Sequence, residues 1–193
     1  MLFSIEFVIP NYPFPIGNFK ILETSGDGNC FLWAFLDQAR LRYHTLYDEL
    51  LRYRNQKDGI ESLLNYLREK TAETLETAVS FLNPDVINFY IELLEDNSIQ
   101  TISDLQLKIR SNTEYYEYLS ICGLATYFKV TVVIWQRSHL GDLKEILRSV
   151  GCQNPAVHFH VWFNGSNHFE TMHDSQCNCE FCLSREKIDK YCF

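Results

Sequence analysis

Cys30 stands where a short polar loop, Ser25-Gly26-Asp27-Gly28-Asn29, turns into an apolar run, Phe31-Leu32-Trp33-Ala34-Phe35. A thiol in the first turn of a helix lies at the positive end of the macrodipole, among N–H groups that have no partner within the helix. Both effects favour thiolate over thiol and make a nucleophile at neutral pH. Gly26 and Gly28 permit positive φ in the loop, a conformation that would turn its N–H groups inward. N–H groups so placed can hold the negative oxygen of a tetrahedral acyl intermediate.

A nucleophilic thiol needs a base, and the chain has six histidines. His44 falls on a polar helix face and His139 in a loop. His158 and His160 alternate along one strand and read as partly buried scaffold. His173 precedes a cysteine-rich tail and reads as a surface or metal-bound residue. His168 follows the tight turn Asn164-Gly165-Ser166-Asn167 and opens a strand, so its imidazole can project from a sheet edge into a cleft. Glu170 lies two residues further on, which puts both side chains on the same side of that strand. A carboxylate there can accept the imidazole N–H and set its tautomer. Cys30 early and His168 late, each at an element boundary, therefore form a consistent nucleophile–base pair.

The elements that must carry these groups follow from periodicity. Prolines 10, 13 and 15 make residues 9–17 irregular, and Asn18–Ser25 reads as a short strand leading into the loop. From Cys30 to about Tyr43, Phe31, Ala34, Phe35, Gln38, Leu41 and Arg42 recur at helical spacing. Residues 45–54 suit a helix. In 60–82, Ile60, Leu63, Leu64, Leu67, Thr71, Leu75, Ala78 and Leu82 mark the longest one. Asn83-Pro84-Asp85 reads as an N-cap, a first-turn proline and an acid beside the dipole, opening a helix to about Leu94. A linker spans 95–103; residues 104–110 are ambiguous between helix and strand, because their apolar positions alternate. Helix returns over 114–128. Residues 129–135 are a β-branched, buried strand, and 143–150 form a short helix or strand. Residues 156–163 alternate as a strand, and 168–172 form a second strand paired with it. Helices first and strands late, with one strand ahead of the first helix, predict an α+β domain: a small central β-sheet flanked by helices.

Composition narrows the function. The 193 residues suit one domain, 46% hydrophobic content with 14 Phe, 11 Tyr and 3 Trp supplies a core, and the net charge is −8. Without a dense Lys/Arg cluster, nucleic acid is excluded as the main partner, whereas a basic surface or peptide tail would be attracted. The apolar start lacks a basic n-region, carries Glu6 and is broken by prolines, so it reads as a strand or a packed arm rather than a signal peptide. No apolar run is long enough to span a membrane. Seven cysteines and no secretory signal imply reduced thiols in the cytoplasm. Cys177, Cys179, Cys182 and Cys192 lie near His173, but their spacing is not that of paired zinc knuckles, and mobile reduced thiols are the expectation.

Gly26-Asp27-Gly28-Asn29-Cys30-Phe31-Leu32-Trp33-Ala34 and Asn167-His168-Phe169-Glu170-Thr171-Met172 resemble the two motifs of the ovarian-tumour (OTU) family of cysteine proteases. Residues 114–135 are similar to that family's helix and strand ahead of its histidine segment. The resemblance covers about residues 18–173, leaving 1–17 as an N-terminal arm and 174–193 as a Cys-rich tail. It implies a papain-like fold and a deubiquitinase that hydrolyses the isopeptide bond at the C-terminal glycine of ubiquitin. Cys30 would be the nucleophile and His168 the general base; Asp27, Gly28 and Asn29 would shape the oxyanion loop. No metal or organic cofactor is implied. The implied partner is ubiquitin or polyubiquitin, and the expected state is a monomer. The sequence departs from the pattern at Phe31-Leu32, where leucine then phenylalanine is usual, at Trp33, where arginine is common, and at Glu170, where Asp or Asn is usual. Glu23, ahead of the loop, is the rival to Glu170 as the orienting acid. A binding-only OTU-like module and a protease for another ubiquitin-like modifier are the alternative functions.

Overall fold

The computed structural model describes residues 19–26, 28–54, 59–94, 96, 98–111, 116–137, 143–150, 157–174 and 177. In chain order the elements are β1 (Phe19–Leu22), α1 (Cys30–Arg42), α2 (His44–Arg54), α3 (Gly59–Val79), α4 (Pro84–Glu92), α5 (Ile102–Arg110), α6 (Tyr118–Phe128), β2 (Thr131–Arg137), β3 (Leu143–Val150), β4 (His158–Phe163) and β5 (Phe169–Asp174). The α+β expectation holds: the strands form one five-stranded sheet in the order β1-β5-β4-β2-β3, with helices packed against it. β2 and β4 run parallel, and every other neighbouring pair is antiparallel.

The sheet alternates as a strand must, but both of its faces are used. Val132 and Ile134 of β2 and Phe159 and Val161 of β4 join Phe31, Phe35 and Leu124 in the main core. Val133 and Trp135, which point the other way, join Met172, with Phe19 and Trp162 packed alongside. This two-sided burial explains the unbroken apolar run of β2, which a half-exposed strand would not tolerate.

α3 is the central helix and packs on α2, α5 and α6. Its approach to α6 depends on Gly123, where a Cβ would fall 2.8 Å from the Thr71 carbonyl oxygen. The Thr74 hydroxyl donates to the Gly123 carbonyl at 2.8 Å and fixes the crossing. A second core between α3, α4, α5 and α6 gathers Leu75, Ile91, Leu105 and Leu119.

Two ambiguous segments resolve for local reasons. Residues 104–110 belong to α5, because Thr101 and Asp104 form a reciprocal capping box at its start. Residues 143–150 are β3, paired antiparallel along β2 with an irregularity at Ile134/Trp135. α4 opens as expected, with the Asn83 side chain accepting from the Asp85 N–H at 2.9 Å, and it closes at Glu92, just short of the expected Leu94.

Candidate active site

Cys30 is the first residue of α1 and is 2% exposed. Gly28 holds φ of +84°, as the loop reading requires, whereas Gly26 is not in the positive-φ region, so one glycine rather than two makes the turn. Asp27 lies outside the described residues, as do His139, Cys179, Cys182 and Cys192. The start of α1 is locked against β5. The Phe31 ring meets Phe169 edge-on at 5.4 Å and stacks on Tyr116 at 5.3 Å. The Thr24 hydroxyl, just after β1, donates to the Phe169 carbonyl.

The partner segment is fixed by its own turn. The Asn164 side-chain oxygen accepts from the N–H groups of Ser166 (2.9 Å), Asn167 (3.1 Å) and His168 (3.0 Å). The Asn164 N–H returns to the His168 carbonyl at 3.0 Å. Gly165 takes φ of +92° to close this loop. His168 is thus held at both its backbone N–H and its carbonyl, without spending its imidazole.

These two segments meet at the sulfur. Cys30 Sγ accepts from the Phe169 N–H at 3.5 Å, and its thiol faces the Asn167 carbonyl at 3.8 Å. The backbone on both sides of His168 therefore touches the nucleophile candidate. His168 Nε2 lies 3.6 Å from Glu170 Oε1, with the two side chains 22% and 5% exposed. Engaging Nε2 leaves Nδ1 as the other nitrogen for proton transfer. Glu170 sits on the same face of β5 as expected, buried and opposite Trp162 in the register. Glu23, the rival acid, is an exposed residue just after β1. A thiol, an imidazole and a buried carboxylate in this order suit acyl transfer through a covalent intermediate.

The other histidines are accounted for by packing. His160 is buried; its Nδ1 accepts from the Trp135 indole N–H at 3.0 Å. Burial, and then the positive charges of Arg42 and its neighbours, push its pKa down to about 3. His158 beside it is also lowered, chiefly by burial. His173, expected at the surface or on a metal, is half-buried on β5 across from Lys20, and burial lowers its pKa too. Among the described residues no group of three or more His, Cys, Asp or Glu could hold a metal ion. No helix among them is long and apolar enough to cross a membrane. Phe169 and Phe163 belong to the main core, and Trp162 packs on the opposite sheet face.

Three supporting residues had no functional reading in the sequence. Gln38 was placed on an apolar helical stripe, yet its amide is fully buried between β4 and β5. It donates to the Met172 carbonyl at 2.7 Å and accepts from the His160 N–H at 2.9 Å. Arg68 is 1% exposed on α3, and its Nη2 donates to Asn29 Oδ1 at 2.7 Å. Asn164 was read only as part of a turn; an Asn two residues before a Ser in a Gly turn is the available signal for its side-chain bonds.

Fold and site together define an α+β domain with a thiol at a helix start and a histidine–glutamate pair at the start of the adjoining strand, His168 just ahead of β5 and Glu170 within it. The fold is that of OTU domains. The chain is similar to the viral OTU domain protease from Taggert virus, at 15% identity over 83% of this chain and 82% of that one, with a TM-score of 0.52. It is similar to the Hazara virus OTU bound to ubiquitin, at 18% identity, 81% and 82% coverage and a TM-score of 0.50. An OTU deubiquitinase from Wolbachia pipientis wMel matches at 16% identity, 90% and 98% coverage and a TM-score of 0.50. No family model and no curated protein matches the chain.

Proposed function

We propose that this protein is a thiol-dependent deubiquitinase that hydrolyses the isopeptide bond at the C-terminal glycine of ubiquitin. The observation that carries the proposal is the contact of Cys30 Sγ with the backbone on either side of His168, while Glu170 lies 3.6 Å from Nε2 of that imidazole. The OTU-type fold supports the same reading, as does a net charge of −8 facing a basic, glycine-ended tail.

In this mechanism His168 takes the Cys30 proton, and the sulfur attacks the carbonyl carbon of the terminal glycine. N–H groups of the Gly28–Cys30 loop and the first turn of α1 hold the oxyanion. The protonated His168 gives its proton to the departing lysine amine as the C–N bond breaks, which leaves a thioester on Cys30. Water, deprotonated by His168, then attacks that thioester and frees the thiol. Glu170 keeps the imidazole oriented and offsets its positive charge. Asp27 belongs to the proposed oxyanion loop with Gly28 and Asn29.

Cleavage of isopeptide-linked diubiquitin tests the proposal. The wild type is expected to release monoubiquitin, with Cys30→Ala and His168→Ala inactive. Ubiquitin binding without cleavage by the wild type would leave a binding module, and cleavage of another modifier alone would reassign the substrate.

A further inference from the structure

Asn29 is the N-cap residue of α1, and Asn is among the strongest N-cap formers because its side-chain oxygen accepts from the second or third helical N–H. Those donors are Phe31 and Leu32 here, yet the Asn29 side chain makes no cap hydrogen bond, and Asn29 holds φ of −104° and ψ of 17° rather than the extended backbone of a capping Asn. The Asn29 oxygen is turned instead to Arg68 Nη2, at 2.7 Å. The guanidinium that takes it is fixed on several sides. Nη1 donates to the Ile109 carbonyl in α5 at 3.2 Å. The Tyr116 ring lies 5.4 Å from Cζ, and its hydroxyl is anchored to Thr71 at 2.9 Å. Arg68 is 1% exposed, so it has no room to swing away.

We propose that Arg68 is a positioning residue that holds the Asn29 carboxamide off the first turn of α1, keeping the N–H groups beside Cys30 open to an oxyanion. A capped helix start would spend those donors on its own side chain, and an anion would then have to displace it. An arginine fork suits the task because it grips the amide oxygen and a second anchor at once. Without Arg68, Asn29 returns to the extended backbone of a capping residue and its carboxamide folds back over α1, competing with the oxyanion. The inference rests on the reading of Cys30 as an acyl-accepting nucleophile.

Amide hydrogen exchange at Phe31 and Leu32, measured together with turnover of a ubiquitin substrate, tests it. In Arg68→Met the exchange of one of these amides is expected to slow about fivefold, the protection of an ordinary side-chain cap. The slowing disappears in Arg68→Met/Asn29→Ala, which has no carboxamide to fold back. Turnover in Arg68→Met falls in kcat with KM little changed, because the oxyanion forms only after substrate is bound. Mere loosening of the loop would instead speed the exchange, so unchanged or faster exchange in Arg68→Met overturns the inference, as does equal slowing in the double variant. Arg68→Lys, which keeps the charge but loses the fork, shows the same pattern more weakly and serves if Arg68→Met does not fold. A wild type that turns over no ubiquitin substrate refutes the deubiquitinase reading alone, because the exchange pattern does not depend on it.

Discussion

Replacing Glu170 by Gln removes one charge and little volume from the buried end of the His168–Glu170 pair. When His168 takes the thiol proton, the carboxylate faces a new positive charge at 3.6 Å. At an effective dielectric of about 20, that pair is worth about 4.6 kcal/mol. The His168 side chain is 22% exposed, so water screens part of the attraction. Halving it gives about 2.3 kcal/mol, and the two bounds correspond to a fall in turnover of about 50-fold to about 2,400-fold. The assay is kcat/KM on ubiquitin carrying a fluorogenic leaving group, for the wild type, Glu170→Gln, Glu170→Ala and Glu23→Ala. Glu170→Ala is expected to fall at least as far as Glu170→Gln, and Glu23→Ala to stay within about threefold of wild type. Full turnover in Glu170→Ala with its loss in Glu23→Ala would refute the assignment of the orienting acid.

Further outcomes follow from the fold. Gly123→Ala forces a Cβ to 2.8 Å from the Thr71 carbonyl and is expected to cost about 1–3 kcal/mol by overpacking, read as a lower Tm. Gln38→Leu leaves the His160 N–H and the Met172 carbonyl buried without this bridge, at about 1–3 kcal/mol for each group, checked by urea unfolding. His160 titrates near 3 in the fold against an ordinary value of 6.5, so its native environment favours the neutral ring. Its contribution to stability is therefore fully present above about pH 6.5 and is lost as pH falls from there toward 3. Asp96, held near 2, loses its contribution only below its ordinary 3.8, so unfolding measured between pH 6.5 and 4.5 separates the two. His160→Asn, which keeps an acceptor for the Trp135 indole N–H, is expected to shallow the pH dependence in that window, the remainder coming from His158 and His173, which burial also lowers.

The parts of the site that depend on local chain chemistry were legible in the sequence. Gly28, two residues ahead of Cys30, declared a positive-φ turn into a helix, and the two-residue spacing of His168 and Glu170 put both side chains on one side of the chain. The helices of 30–42, 59–79 and 84–92 were visible because their apolar stripes or caps repeat with the period of the backbone. α5 was not, because the alternation Leu105, Leu107, Ile109 mimics a strand; the Thr101…Asp104 capping box held the missing signal. Arg68 and Gln38 were illegible for a different reason. Each acts on a residue far along the chain, Arg68 on Asn29 and Gln38 on Met172, and no spacing rule links such pairs. On a helix wheel Gln38 is only a polar residue on an apolar stripe, and its role exists because β4 and β5 leave two backbone groups for it to bridge.

The central claim is that Cys30 is a nucleophile in a cleft that accepts the tail of ubiquitin. Intact-mass analysis after mixing the protein with ubiquitin carrying a C-terminal electrophile tests it most directly. The account predicts a covalent adduct of one ubiquitin on the wild type and none on Cys30→Ala. No adduct on the wild type, or an equal adduct on Cys30→Ala, would contradict it.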